Sequence, residues 1–342
     1  MHAATAHTRP INDANRLGLD YRAEANALTY AGPIVDVHTH LGSVASARLF
    51  FEAADHYGIT HVWSMSPLEI IDELRDEFGD RIHFIAVPNY ANKDDPDTFT
   101  TDWLKRIEAF ADKGVKLCKF WSAPRGLDFA GDAFRLDSPI RKQGQKLAHA
   151  LGMTFMTHVA DPDTWFATHY ADASKYGSKA DQYPALERLL DEYPDTPIIG
   201  AHMGGNPENL DFIEAQLQRH PNYYLDTSAT KWMVRELSQH SQRFIDLLTR
   251  YPKRVLFGSD VVTNDDNMAE HGYDLYASRY WALRTLMETD YHDASPIVDP
   301  DLHLVNPEVD PKSTASLRGL HLDRQTLQHL YHDAAYDLLM KS

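Results

Sequence analysis

The sequence predicts an α/β fold, a distorted (β/α)8 barrel of the TIM type, and three observations lead there. Short β-like apolar runs alternate with amphipathic helical stretches, and a repeated β-then-α order implies parallel strands. About eight such strands can be counted, the number that closes a barrel. An open dinucleotide-binding sheet would carry a glycine-rich phosphate turn after its first strand, but that place holds His38-Thr39-His40-Leu41-Gly42.

In chain order, the predicted strands are Ile34–His38, His61–Met65, Ile82–Val87, Val115–Trp121, Thr154–His158, Ile198–His202, Tyr223–Asp226 and Val255–Gly258. The helical stretches between them are Ala45–Tyr57, Leu68–Phe78, Thr101–Lys113, Pro139–Leu151, Pro184–Tyr193, Leu210–Arg219 and Val234–Arg250. Residues 1–30 read as an N-terminal arm, partly ordered at best, in which Met1–Asn26 is largely polar and has no apolar signal core. Residues 31–342 read as a single barrel domain with no linker and no internal repeat. The stretch Asp293–Leu320 is rich in Pro, Asp and Ser and reads as an irregular insertion, a long surface loop that covers the site or makes an oligomer contact. A final helix, Arg324–Met340, is expected to pack outside the barrel.

The 342 residues are 43% apolar and 24% charged, an ordinary globular composition with side chains enough for a large core. A net charge of −17 repels nucleic acid and anionic membranes, so neither is an expected partner. No apolar run approaches the roughly 20 residues that span a bilayer. The lone cysteine, Cys118, rules out an intrachain disulfide and fits a reducing, cytoplasmic setting. The expected partner is a small-molecule substrate, with a homo-oligomer left open.

Five residues fall at or just past predicted strand ends: His38 and His40 on the first, His158 on the fifth, His202 on the sixth and Asp260 after the eighth. Side chains two apart on a strand share a face, so His38 and His40 can bind one metal ion together. Barrel strand ends converge on one rim, and imidazole nitrogen with carboxylate oxygen is the donor set of a catalytic zinc or similar divalent ion. With 19 histidines, one His-x-His pair is expected by chance, and a lone His158 or His202 is more often a satisfied core or surface residue. Their common placement at strand ends is what carries weight. Asp260, in Phe257-Gly258-Ser259-Asp260, is either a cap for the next segment or a carboxylate that touches the metal and takes a proton from water.

Lys119 shares a face with Val115, Leu117 and Trp121, and either pairs with a rim carboxylate, binds a substrate anion or, if carboxylated, a metal. Arg125, in Ala123-Pro124-Arg125-Gly126, is a solvated loop residue or a partner for a substrate carboxylate. Trp121 and Trp165 line the pocket or pack in a core or loop. Gly204-Gly205 permits a tight strand-to-helix turn and is not a phosphate loop. Neither a Walker pattern nor a Gly-x-Ser-x-Gly elbow occurs.

At these residues the chain resembles the amidohydrolase superfamily, in the amidohydrolase-related branch that includes aminocarboxymuconate-semialdehyde decarboxylase. Val35-Asp36-Val37-His38-Thr39-His40 is similar to the opening metal motif, and Ile199-Gly200-Ala201-His202-Met203-Gly204-Gly205 to the sixth-strand motif. Tyr224-Leu225-Asp226-Thr227-Ser228 and Leu256-Phe257-Gly258-Ser259-Asp260 are similar to the last two strands. The likeness spans about residues 33 to 265 and resumes near Leu322–Leu339. It implies that His38, His40, His158 and Asp260 hold one divalent ion, usually zinc, and that His202 sits beside the bound water and polarises the substrate or stabilises charge. The chain departs from the branch at Asp333-Ala334, where Asn-Ala is frequent, and at Phe120-Trp121, where a histidine often stands near the fourth-strand lysine.

The expected function is therefore a metal-dependent hydrolase that attacks an ester, lactone or amide through metal-activated water. Two alternatives remain from the residues: a non-oxidative decarboxylase of a small carboxylic acid on the same site, and a non-catalytic barrel, which would hold no stoichiometric metal.

Overall fold

The barrel strands are β1 (Ile34–Leu41), β2 (Ile59–Ser64), β3 (Ile82–Ala86), β4 (Leu117–Trp121), β5 (Thr154–His158), β6 (Ile198–Gly200), β7 (Tyr223–Asp226), β8 (Val255–Leu256) and β9 (Val261–Thr263). Each is parallel to its neighbours, in the order β8-β7-β6-β5-β4-β3-β2-β1-β9. The computed structural model describes residues 11–93 and 95–341. β8 and β9 are two halves of one eighth strand, separated by Phe257–Asp260. The two ends of this break still bond to β1: the Val37 amide donates to the Phe257 carbonyl at 3.0 Å, and the Asp260 amide to the His38 carbonyl at 2.8 Å. The ladder is interrupted there, yet hydrogen bonding passes through the bend, and the result is the distorted (β/α)8 barrel expected from the sequence.

The helices Val44–His56, Ile71–Phe78, Pro96–Asp112, Pro139–Ala150, Tyr183–Glu192 and Leu210–Arg219 follow β1 to β6 in turn. Their starts are chemically marked. Ser43 Oγ accepts from the Ser46 amide at 3.1 Å, and Ser138 Oγ from the Arg141 amide at 3.4 Å with Pro139 in the first turn. The expected helix Val234–Arg250 is two helices, Thr230–Gln239 and Ser241–Arg250, because His240 leaves helical geometry at φ −114° and ψ 30°.

The sequence reading placed no element between Asp260 and Asp293, where the structure has the long helix Asp265–Glu288, kinked at Gly272 with φ 57°. From Tyr280 to Glu288 every side chain is buried, so the segment lacks the polar stripe that marks a surface helix. The stretch read as an irregular loop is a structured insertion. β10 (His292–Val298) pairs antiparallel with β11 (Thr314–Arg318), and the short helix Pro300–Val305 lies between them. Ile297, Ala315 and Leu317 are buried. β11 alternates as a strand should, but Thr-Ala-Ser-Leu-Arg is too weakly apolar to show it.

The segment read as an arm is packed from Asn12 on, while Met1–Pro10 lies outside the described residues. The Arg16 amide donates to the Pro296 carbonyl at 2.8 Å, and Asn15 Nδ2 to Asp274 Oδ2 at 3.2 Å. Tyr21 is buried and its hydroxyl donates to the Ala14 carbonyl at 2.6 Å. Glu288 fastens several of these pieces. It accepts from Arg284 Nε at 2.5 Å, the Thr29 and Tyr30 amides at 3.1 and 3.0 Å, and the Tyr331 hydroxyl at 3.1 Å. The final helix starts at Arg324–Gln328 and continues with wider π-type turns to Met340. It packs on β1 and β8, where Tyr331 meets Phe257 edge-on at 5.1 Å. Among the described residues, no helix is long and apolar enough to cross a membrane.

Candidate metal centre

β1 turns Asp36, His38 and His40 to its inner face. At the strand end His38 Nε2 stands 3.4 Å from Asp260 Oδ1, and His40 Nε2 stands 3.1 Å from the same oxygen. Asp260 comes from the bend that breaks the eighth strand, and its φ of 59° puts it in the left-handed region. Gly258 makes that bend possible. A Cβ there would lie 3.1 Å from His38 Cβ and 3.2 Å from Ser228 Cβ. Asp36 holds the bend from below: it accepts from the His38 and Ser259 amides at 3.1 Å each, from Ser259 Oγ at 2.5 Å and from Tyr280 at 2.9 Å. Burial pushes the Asp36 carboxyl up to about 7 against these donors.

Asp226, at the end of β7 and fully buried, orients two histidines. Its Oδ2 faces His38 Nδ1 at 2.8 Å. Its Oδ1 accepts from the His202 amide at 2.8 Å, the Ser228 amide at 3.1 Å and Ser228 Oγ. Burial pushes this carboxyl up, but His38, His202 and Lys119 together hold it well below the usual carboxylate range. It is therefore an acceptor only, so His38 Nδ1 carries the proton. Burial and the nearby Lys119 charge hold His38 below its ordinary value and hence neutral, which leaves a lone pair on Nε2. His202 follows the same logic. Ser228 Oγ gives its proton to Asp226 and takes one from His202 Nδ1 at 2.7 Å, so His202 Nε2 bears the lone pair. Burial holds His202 well below its ordinary value.

The sequence reading carried the sixth strand through His202. The structure ends it at Gly200, and His202 and Met203 take left-handed φ values of 56° and 53°. Each such residue costs about 1–2 kcal/mol. Two of the five strand-end residues, His202 and Asp260, thus sit in strained backbone, a condition that clusters at functional sites.

The other expected residues divide. His158 Nε2 faces Asp161 Oδ1 at 2.8 Å and its ring lies 4.4 Å from that of His202, so it borders the cluster without entering it. Lys119 points inside, with Nζ 3.4 Å from His38 Nε2, and burial lowers it to about 8 although Asp226 and Asp260 oppose this. A cavity of ≈ 400 Å³ opens above Asp260 and is lined by Arg125, Trp165, Trp232 and Asp301 among others. Trp165 and Trp232 both donate from the indole to Asp301 Oδ2, at 3.1 and 3.2 Å, so the insertion helps to shape this cavity. Trp121 does not line it. It packs with Tyr90, Phe129 and Phe134, because the loop after β4 folds an aromatic cluster over it. Sequence reasoning did not assign Asp36, Asp226 or Ser228 to the site. The signal for Asp226 was the carboxylate at a strand end, on the rim already occupied by the histidines.

The donor set suits a divalent cation. Ligands roughly 2.0–2.2 Å from a tetrahedral ion stand roughly 3.3–3.6 Å apart, and the separations to Asp260 Oδ1 are 3.4 and 3.1 Å. His38 Nε2 and His40 Nε2 both face Asp260 Oδ1, with Lys119 Nζ 3.4 Å from His38 Nε2. Burial pushes Asp260 up, yet His38 and His40 hold it well below the usual range, so the carboxylate is ionised. His38, His40 and Asp260 form one compact group of potential ligands; His38, His202 and Asp226 form another, and there the carboxylate is already taken up by hydrogen bonds.

A family model described as Amidohydrolase matches residues 20–339. Among solved structures the chain is similar to an amidohydrolase from Burkholderia multivorans with bound zinc, at 11% identity and TM-score 0.51, with 90% of this chain and 99% of that chain covered. It is also similar to 5-carboxyvanillate decarboxylase from Novosphingobium aromaticivorans complexed with manganese and 4-hydroxy-3-methoxy-5-nitrobenzoic acid, at 11% identity and TM-score 0.49, with 90% and 96% covered. A third is a probable 2-pyrone-4,6-dicarboxylic acid hydrolase from Acinetobacter baumannii with citric acid bound, at 12% identity and TM-score 0.45, with 72% and 90% covered. Among curated proteins none matches the chain. At 11% identity the likeness to the zinc-bound structure speaks to the fold alone, whereas the family model spans nearly the whole barrel. The chain belongs to the amidohydrolase family, whose model matches residues 20–339.

Proposed function

We propose that this enzyme hydrolyses an ester, lactone or amide bond of a small molecule at a single divalent ion held by His38, His40 and Asp260. The observation that carries the reading is the convergence of two imidazole nitrogens on one ionised carboxylate oxygen, with the His38 lone pair directed there by Asp226. His158 is the proposed fourth ligand. If its Nε2–H is given to Asp161, then Nδ1 is its free donor. Zinc is the ion the family resemblance suggests. Such an ion would supply Lewis-acid polarisation of the carbonyl and activation of water at neutral pH.

The residues around it have separable tasks. Asp260, ionised and fixed by the bend, accepts a proton from the attacking water. His202 enters with a lone pair on Nε2, so it can take over the proton that Asp260 receives from water and pass it to the leaving group. Ser228 and Asp226 hold its ring and stabilise the charge it gains. Lys119 beside His38, and Arg125 on the rim, are proposed contacts for an anionic part of the substrate. Trp165 forms part of the pocket wall. The buried Cys118 suits the cytoplasmic setting we assign.

A second reading, non-oxidative decarboxylation, is favoured by the cationic side chains that line the cavity, Arg125, Lys231 and Arg279, which would hold a carboxylate. Incubating the metal-loaded enzyme with panels of lactones, esters, amides and aromatic acids, and measuring released acid against released carbon dioxide, separates the two. Acid release without carbon dioxide supports hydrolysis. Carbon dioxide release alone overturns it in favour of the lyase.

A further inference from the structure

The cavity above Asp260 adjoins a second one of ≈ 260 Å³, and Lys231, Arg279 and Pro300 line both. Lys231 lies on the helix Thr230–Gln239 and Arg279 on the helix Asp265–Glu288. The two cations are close enough for the Arg279 charge to disfavour that of Lys231. Neither belongs to an ion pair among the described residues, in a chain whose net charge is −17. The acids that Lys231 feels, Asp299 and Asp301, are already engaged. Arg235 Nη1 stands 2.5 Å from the first and 3.3 Å from the second, and Asp301 also accepts both indole N–H groups. Arg279 donates to its neighbour Ser278 Oγ at 2.9 Å and otherwise faces the cavities. Burial lowers Lys231 and takes Arg279 down to about 10, so the guanidinium is still charged at neutral pH. Two like charges share a cavity wall, and neither is neutralised by an ion pair among the described residues, so the wall suits an oxyanion from outside the chain.

We propose that Lys231 and Arg279 form an oxyanion subsite that binds a carboxylate or phosphate carried by the substrate on the end away from the Asp260 centre. The substrate class, which rests on the hydrolase reading above, is then a small carbonyl compound with an anionic group distal to the reacting bond. The reacting end occupies the larger cavity beside Asp260, and the anionic end reaches the wall shared with the smaller cavity. Arg125, on the loop after β4, lines the larger cavity only and can meet a group nearer the reacting bond.

Calorimetric titration of the full chain, metal-loaded and chelator-stripped, with glutarate, dimethyl glutarate and inorganic phosphate tests this. The proposal expects glutarate or phosphate to bind both forms, the diester to bind neither, and Lys231→Gln or Arg279→Gln to weaken binding roughly tenfold or more, the scale of one lost charge-assisted hydrogen bond. Arg279→Lys should restore part of that loss. Glutarate binding ahead of phosphate identifies a carboxylate, and the reverse order a phosphate. Unchanged affinity in both glutamine variants, each with a native thermal transition, overturns the subsite, as does equal binding of the diester. Metal content measured on the same samples keeps the two readings apart. A chain without stoichiometric metal sinks the metalloenzyme and leaves anion binding to the stripped form intact. A metal-loaded chain whose variants bind glutarate normally sinks only the subsite.

Discussion

Asp226→Asn isolates the role of one buried carboxylate, because it preserves shape and removes only charge and one acceptor. The amide has two orientations. With its oxygen in the Oδ1 position it still accepts from the His202 amide, the Ser228 amide and Ser228 Oγ, and its NH2 group faces His38 Nδ1. The reverse orientation sets NH2 against two backbone N–H donors that cannot change role, so the first prevails. His38 must then accept at Nδ1 and carry its proton on Nε2, where the lone pair met Asp260 at 3.4 Å. A ligand is lost without any ligand being mutated. Loss of such an orienting partner costs about 10–100-fold in metal affinity, or about 1.4–2.7 kcal/mol. The missing charge-assisted hydrogen bond should lower stability by about 1.5–3 kcal/mol. Competition against a zinc chelator of known affinity gives the first quantity, and urea denaturation of the apo form the second. Wild-type metal affinity in a folded Asp226→Asn protein would refute the assignment of the His38 proton to Nδ1.

Three further outcomes are expected. His158→Ala should lower metal occupancy and turnover with the circular dichroism spectrum unchanged, and full occupancy with full turnover would remove His158 from the ligand set. Glu288→Ala should destabilise the fold by about 3–5 kcal/mol, the cost of stranding buried Arg284, and should shift the urea midpoint accordingly. His83 stacks on Trp63 at 4.1 Å and is drawn down to about 4, by burial first and then by the His61 charge. The unfolded chain takes up this proton near pH 6.5 and the folded chain near pH 4, so its contribution is complete above pH 6.5 and is lost as pH falls towards 4. After discounting for partial exposure this amounts to about 2 kcal/mol or less. His83→Gln should flatten the stability slope between pH 4 and 6.5, and identical slopes in the two proteins would rule the effect out.

Strand placement was legible wherever burial on both faces leaves a continuous apolar run between turn signals. Thr154–His158 and Tyr223–Asp226 match the sequence reading, and β1 extends it only beyond His38. His38 and His40 were legible as a pair because alternation alone puts them on one face. The long helix Asp265–Glu288 was not, since its second half is buried all round. The hairpin of β10 and β11 was hidden because β11 is weakly apolar and the two strands pair only with each other. Within the site, ligand candidates announced themselves by residue type, whereas their supports did not. Asp226 and Ser228 matter through a tautomer, which no spacing reveals. The left-handed turn at His202 follows from the need to bring its amide to Asp226, a contact 24 residues away in sequence. Lys231 and Arg279 come from helices that pack only in the finished fold, so their pairing has no local signature.

The account rests on three side chains gathering one cation. Metal analysis of the purified full chain, followed by anomalous diffraction at the metal edge, tests that most directly. The account predicts one ion per chain, in contact with His38 Nε2, His40 Nε2 and Asp260 oxygen, with occupancy lost in His38→Ala and Asp260→Ala. A chain that binds no stoichiometric divalent ion, or an ion found away from these three atoms, would contradict it.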